Sequence, residues 1–202
     1  MPITITHIIF DLSEVLIRGL VGIDNEVGKL IGNQSDNLLR KFGGEDLRAL
    51  CRNEIIEDDY LKKIITKEKW NCSPDELKRV IRNNFHHIIG EMDELVAELS
   101  KKYSLILLSD HAKEWINYIE RYHDFLNHFS YRKYSFDTGH LKYEIHNFKI
   151  LLNDLNIPSS SCLFIDDRKE NIETAQQCGI KGILFKDQDQ LIKELARYGV
   201  FL

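Results

Sequence analysis

Four short apolar runs, separated by stretches of helical patterning, constrain what this chain can fold into more than any other feature. Ile8-Ile9-Phe10 stops at Asp11, Leu105-Ile106-Leu107-Leu108 at Ser109, Leu163-Phe164-Ile165 at Asp166-Asp167, and Ile183-Leu184-Phe185 at Lys186. Continuous apolar runs of this length, bounded by helical patterns, are the signature of parallel strands buried on both faces. In such sheets the carboxyl ends of the strands open on one edge, and ligands bind there. Three buried strands therefore deliver Asp11, Ser109 and Asp166-Asp167 to one place.

A chain of 202 residues with 43% hydrophobic content can bury a substantial core, as one domain with an insertion or as two small ones. The formal net charge of -5 argues against nucleic acid as a partner, whose footprint is a basic stripe. The densest basic stretch, Arg132-Lys133, reads as a solvated loop. Cys51, Cys72, Cys162 and Cys178 show neither CxxC spacing nor a pairing pattern, and Cys162 and Cys178 read as reduced core residues. The amino terminus lacks the charged n-region and long h-region of a signal peptide, and no stretch approaches a membrane span. These features predict a soluble, cytoplasmic protein.

The first strand is expected within residues 7–10. The tract 19–89 is helical by pattern, with Ile23, Val27, Leu30 and Ile31 on one face, then Ile56, Tyr60 and Ile64 with Leu61 and Ile65 beside them. Ser73-Pro74-Asp75-Glu76 predicts a helix start, with Ser as N-cap, Pro at N1 and Glu at N3. Gly32-Asn33 and Gly43-Gly44 break the tract into short helices. From Met92 onward helices and strands alternate, with an edge strand expected near residues 129–136. The fold class is α/β: a Rossmann-like, mainly parallel sheet with helices on both faces and a helical insertion after its first strand.

Asp11, Asp166 and Asp167 would share a small site. Two carboxylates about 5 Å apart repel by roughly 3 kcal/mol at an effective dielectric near 20. That arrangement calls for a cation, and oxygen ligands without His or Cys spacing favour Mg²⁺. A divalent ion would also make Asp11 a competent nucleophile toward a phosphoryl group. The eight histidines form no ligand spacing; His86-His87, His123 and His128 read as surface or boundary residues. Trp70 and Trp115 read as packing anchors, and Glu57-Asp58-Asp59 as a solvated first helical turn.

Phe10-Asp11-Leu12-Ser13-Glu14-Val15-Leu16, Leu107-Leu108-Ser109-Asp110, Gly139-His140-Leu141-Lys142 and Phe164-Ile165-Asp166-Asp167-Arg168-Lys169-Glu170-Asn171-Ile172 resemble the four ordered motifs of the haloacid dehalogenase-like (HAD) superfamily. The resemblance covers the whole chain. Residues 19–89 sit where subfamily I carries its small helical cap, leaving 1–18 and 90–202 as the catalytic core. The first motif is most similar to that of small sugar-phosphate phosphatases, which reads Asp-Leu-Gly-Asn-Val. The resemblance implies that Asp11 attacks phosphorus and forms an aspartyl-phosphate. It implies that Ser109, with Asp110, binds the phosphoryl group and that Lys142 neutralises the charge gathered in the transition state. It also implies Mg²⁺ held by Asp11, Asp166 and the backbone carbonyl of Ser13, with Asp167 supporting the shell.

One departure stands out. The family's first motif usually has a second Asp two residues after the nucleophile, acting as general acid and then base. Here that position is Ser13. Positioned acid–base help is typically worth roughly 10²–10⁴-fold. Three expectations follow: a phosphatase for esters with good leaving groups, a phosphatase with Glu14 or His111 as substitute acid, or a relative that binds Mg²⁺ and phosphate but turns over poorly. Dehalogenases also lack the second Asp, but they work without metal and without paired acids in the fourth motif. The expectation is a Mg²⁺-dependent phosphatase of a small, sugar phosphate-like metabolite, with neither nucleic acid nor membrane as partner.

Overall fold

The computed structural model describes residues 4–32 and 37–202. Strand β1 (His7–Phe10) leads into helices α1 (Asp24–Ile31), α2 (Glu45–Cys51), α3 (Glu57–Glu68) and α4 (Pro74–Asn84). Then come α5 (Met92–Ser100), β2 (Ser104–Ser109), α6 (Lys113–Ile119), β3 (Tyr131–Tyr134), α7 (Ser135–Thr138) and α8 (Ile145–Leu155). The chain closes with β4 (Cys162–Asp166), α9 (Lys169–Gln177), β5 (Lys181–Leu184) and α10 (Gln188–Arg197). Among the described residues the strands form one parallel sheet in the order β3-β2-β1-β4-β5.

The apolar runs do what their composition requires. Ile8 and Phe10 of β1, Leu105 and Leu107 of β2, and Leu163 and Ile165 of β4 face one hydrophobic cluster, which α5, α6, α10 and the inserted helices cover. Ile9, Ile106, Leu108 and Phe164 face a second, covered by Phe148 and Leu151 of α8 and Ala175 of α9. Burial on both faces is what requires the central positions of β1, β2 and β4 to be apolar.

The capped helix start is present: the Ser73 hydroxyl accepts from the Glu76 backbone N–H, and the Glu76 carboxylate accepts from the Ser73 backbone N–H. Gly32 closes α1 at φ 66°, a left-handed position suited to glycine, while Asn33 lies outside the described residues. The inserted helices leave and rejoin the core through two adjacent stems. Ile17 and Ile88 pair as an antiparallel bridge, Arg18 N–H donates to His87 O at 2.8 Å, and Ile89 N–H donates to Leu16 O at 3.0 Å.

Four expectations need correction. Arg132-Lys133 lies on edge strand β3 rather than in a loop, with Arg132 paired to Glu120 and Lys133 to Asp154. Ile56 is 53% exposed because it is the N-cap of α3 and precedes the buried face. His123 is buried and its Nε2 lies 2.7 Å from Phe85 O. Glu57 is not solvated but 2% exposed: its carboxylate accepts from Trp115 Nε1 at 2.9 Å and from Arg82 Nη2 at 2.7 Å. Burial pushes the Glu57 carboxyl up, and Arg82 opposes that shift.

Glu57 thus ties inserted helix α3 to core helix α6. Glu57→Ala strands the indole N–H and the guanidinium, so a loss of about 3 kcal/mol is expected in urea unfolding. A change below about 0.5 kcal/mol, the usual size of a surface substitution, would show the tie to be incidental.

Candidate active site

The site follows from register. Phe10 lies level with Leu107 on one side and Ile165 on the other, so the next residue along, Asp11, comes level with Asp166 on the adjacent strand. The chain leaves β1 and β4 toward different parts of the sheet, which opens the crevice between them. Asp11 is anchored at its backbone, where its N–H donates to Ile165 O at 2.9 Å. One oxygen from each of Asp11, Asp166 and Asp167 lies within 4.8 Å of the others.

Lys142 comes from the turn before α8 and is 2% exposed. Its ammonium bridges the crevice, 2.5 Å from Asp11 Oδ2 and 2.7 Å from Asp166 Oδ2. Burial alone would strip its charge, but the carboxylates of Asp11, Asp166 and Asp110 overcome that and hold its pKa above the ordinary lysine value. Asp110 grips the same turn, both carboxylate oxygens accepting from the Lys142 backbone N–H at 3.0 and 3.1 Å. Burial raises the Asp110 carboxyl to about 6, against the opposing charge of Lys142. Burial also pushes Asp11 well up, with Lys142 opposing and Asp166 adding to the shift.

Ser109, the last residue of β2, is fully buried, and its hydroxyl has no hydrogen-bond partner among the described residues. Ser13 is bonded to His111, its hydroxyl 2.9 Å from His111 Nε2. The Glu14 carboxylate is engaged by its own loop: Oε1 accepts from the Gly19 and Val21 N–H groups and Oε2 from Arg18. Those bonds hold Glu14 in a left-handed conformation at φ 61°.

His111 is buried, and burial first, then the charge of Lys142, lowers its imidazole to about 3. The ring is therefore neutral near pH 7. The sign of the linkage follows: the unfolded chain takes a proton near 6.5 that the folded ring refuses. His111's contribution is complete above pH 6.5 and is lost as pH falls toward 3, each unit of depression being worth about 1.4 kcal/mol. Replacing His111 by Phe should flatten the fall of Tm across this acid arm; an unchanged slope would assign it to other groups.

Asn171 was not singled out from sequence. Its Nδ2 donates to both oxygens of Asp166 at 3.0 and 3.1 Å, and the Arg168 N–H donates to Asp166 Oδ1 at 2.8 Å. The available signal was spacing: Asn171 lies in the first turn of α9, five residues beyond Asp166. Inserted residues also reach the site. Leu47, Cys51 and Phe85 line a cavity of about 260 Å³ with Asp11, Ser13, His111 and Lys142.

The clustered carboxylates, Lys142 and Ser109 thus sit at the carboxyl edge of a parallel sheet, where open α/β folds bind their ligands. Residues 8–185 match the haloacid dehalogenase-like hydrolase family, and the chain belongs to it. Flavin mononucleotide hydrolase 1 of Arabidopsis thaliana is 27% identical over 173 residues, which span 79% of this chain and 69% of that protein. Among solved structures, a HAD family enzyme from Bacteroides thetaiotaomicron in complex with magnesium and inorganic phosphate is similar with TM-score 0.74 at 20% identity, covering 93% of this chain and 98% of that one. A HAD-like family hydrolase from Porphyromonas gingivalis reaches TM-score 0.79 at 18% identity, over 98% of this chain and all of the other.

Proposed function

We propose that the protein is a Mg²⁺-dependent phosphatase of a small phosphorylated metabolite, working through an aspartyl-phosphate on Asp11. The observation that carries this reading is the grouping at the crevice: Asp11 and Asp166 bridged by the Lys142 ammonium, with the Ser109 hydroxyl, unpartnered among the described residues, beside the same strand ends. In this reading Asp11 forms the new O–P bond as the ester P–O bond breaks, and the leaving oxygen takes the electron pair. Lys142 and the Ser109 hydroxyl hold phosphoryl oxygens, compensating charge where the transition state concentrates it. Water then attacks phosphorus, releases phosphate and restores the Asp11 carboxylate.

The residues present fit magnesium: Asp11, Asp166 and Asp167 form a hard, all-oxygen set with no nitrogen or sulfur ligand among them, and the Ser13 backbone carbonyl would join them in this reading. When bound, the ion would supply charge screening between the Asp11 carboxylate and an incoming phosphate. The magnesium and phosphate held by the Bacteroides enzyme lend support from a protein of the same fold. Residues 19–89 act here as the cap that shields the site from water and selects the substrate.

Ser13 shapes which esters turn over. With a hydroxyl bonded to a neutral imidazole in the acid's place, leaving groups that depart without a proton are favoured. Acetyl phosphate hydrolysis in magnesium, abolished by Asp11→Asn, is the direct test. Tight phosphate binding without turnover would instead make the chain a phosphoryl-binding relative. Ser13→Asp should raise rates on alkyl phosphates by roughly 10²-fold relative to aryl phosphates. An unchanged alkyl-to-aryl ratio would remove the missing acid as the cause.

A further inference from the structure

We infer that the substrate is an aryl phosphate monoester, carried on an apolar ring of one- or two-ring size rather than on a polyhydroxylated sugar. This rests on the phosphatase reading above. Beyond the phosphoryl end, the cavity wall is largely carbon: Leu20, Val21, Leu47, Phe85 and Trp115. Phe85 and Trp115 lie with ring centroids 5.5 Å apart, and both pack against His111.

Most polar groups on that wall already have partners within the protein; two buried atoms, His111 Nδ1 and Asn171 Oδ1, have none among the described residues. The Trp115 indole N–H donates to Glu57, and the Glu14 carboxylate holds the Gly19 and Val21 N–H groups. The Ser13 hydroxyl bonds His111, and the Arg168 guanidinium reaches Glu170. A sugar seated here would bury several hydroxyls with few partners, which counts heavily against binding. An aromatic ring meets a matching surface of ring edges and aliphatic carbon instead. Size allows a ring: an apolar cavity of about 150 Å³ accepts benzene, and this cavity measures about 260 Å³ with its phosphoryl end included. The chemistry agrees independently, because an aryloxide leaves with little need of the proton that an Asp at position 13 would have supplied.

The test separates binding from leaving-group reactivity by using inhibitors that cannot react. Against acetyl phosphate hydrolysis in magnesium, phenylphosphonate should inhibit competitively with a Ki at least about tenfold below that of 2,3-dihydroxypropylphosphonate. In direct turnover, kcat/KM for 1-naphthyl phosphate should exceed that for glucose 1-phosphate, with KM lower as well as kcat higher. Leu47→Asn should narrow the inhibitor gap, and Leu20→Asn gives the same reading should the first variant fold poorly. Equal Ki values, or a preference for the hydroxylated phosphonate while acetyl phosphate is still hydrolysed, overturn the aryl assignment alone. No acetyl phosphate turnover by the wild-type protein overturns the phosphatase reading and this inference with it.

Discussion

Asp11→Asn is expected to lower acetyl phosphate hydrolysis by at least about 10⁴-fold, while the protein melts no lower than wild type in the absence of magnesium. The first half follows from the proposed role of Asp11, since an amide cannot form and regenerate the acyl phosphate. The second follows from electrostatics. Burial pushes the Asp11 carboxyl well up and Asp166 adds repulsion, so holding it ionised costs the fold free energy that a neutral Asn does not. The Asn carbonyl can still accept from the Leu12 N–H, which meets Asp11 Oδ1 at 2.6 Å, and Lys142 keeps Asp166. Phosphate release and a calorimetric melt on one preparation check both halves. A variant retaining a tenth of wild-type turnover would falsify the nucleophile assignment.

Lys142→Ala is expected to produce the largest loss of stability. It leaves Asp11 and Asp166 buried around a vacated space with no counter-charge. Breaking a buried ion pair from one side costs about 3–5 kcal/mol, and each kcal/mol shifts Tm by about 2–4 °C in a domain of this size. A fall of about 6–20 °C in EDTA is therefore expected. The pH dependence has a definite sign. Without the ammonium, the folded Asp11 carboxyl rises still further above its unfolded value, so the folded state binds a proton first and stability rises as pH falls toward the ordinary carboxylate range. Magnesium should recover part of the lost Tm at pH 7.5, because a divalent cation neutralises the same pair of acids. A variant that melts like the wild type would show that Lys142 is a bystander to the carboxylates.

The legible parts of the molecule were those encoded locally. An apolar run states that both faces of a strand are covered, so β1, β2 and β4 could be found and their carboxyl ends placed on one edge. The Ser73 capping box is likewise complete within four residues. What sequence could not reveal depends on residues far apart in the chain. Glu57 sits in an acidic run that looks solvated, and its burial is set by Arg82 and Trp115, 25 and 58 residues away. Ser13 and His111 meet across 98 residues. The spacing Gly139-x-x-Lys142 is weak by itself; the burial of Lys142 comes from the Asp110 grip on its backbone and from the carboxylates of two strands. The apolar cavity wall was also hidden, since Leu47 and Phe85 look like ordinary core residues until the insertion folds over the sheet edge.

The neck between the sheet and the inserted helices has a mechanical consequence. Its first stem is folded back on itself, with Leu16 and Ile17 N–H groups both donating to Leu12 O and Glu14 N–H to Ile17 O, and its second stem is bonded alongside. Ser13 lies inside that knot of bonds, two residues from Asp11. A tilt of the inserted helices would therefore pull on the loop that follows Asp11. In the proposed reaction, any movement of the insertion would share one axle with the group that attacks.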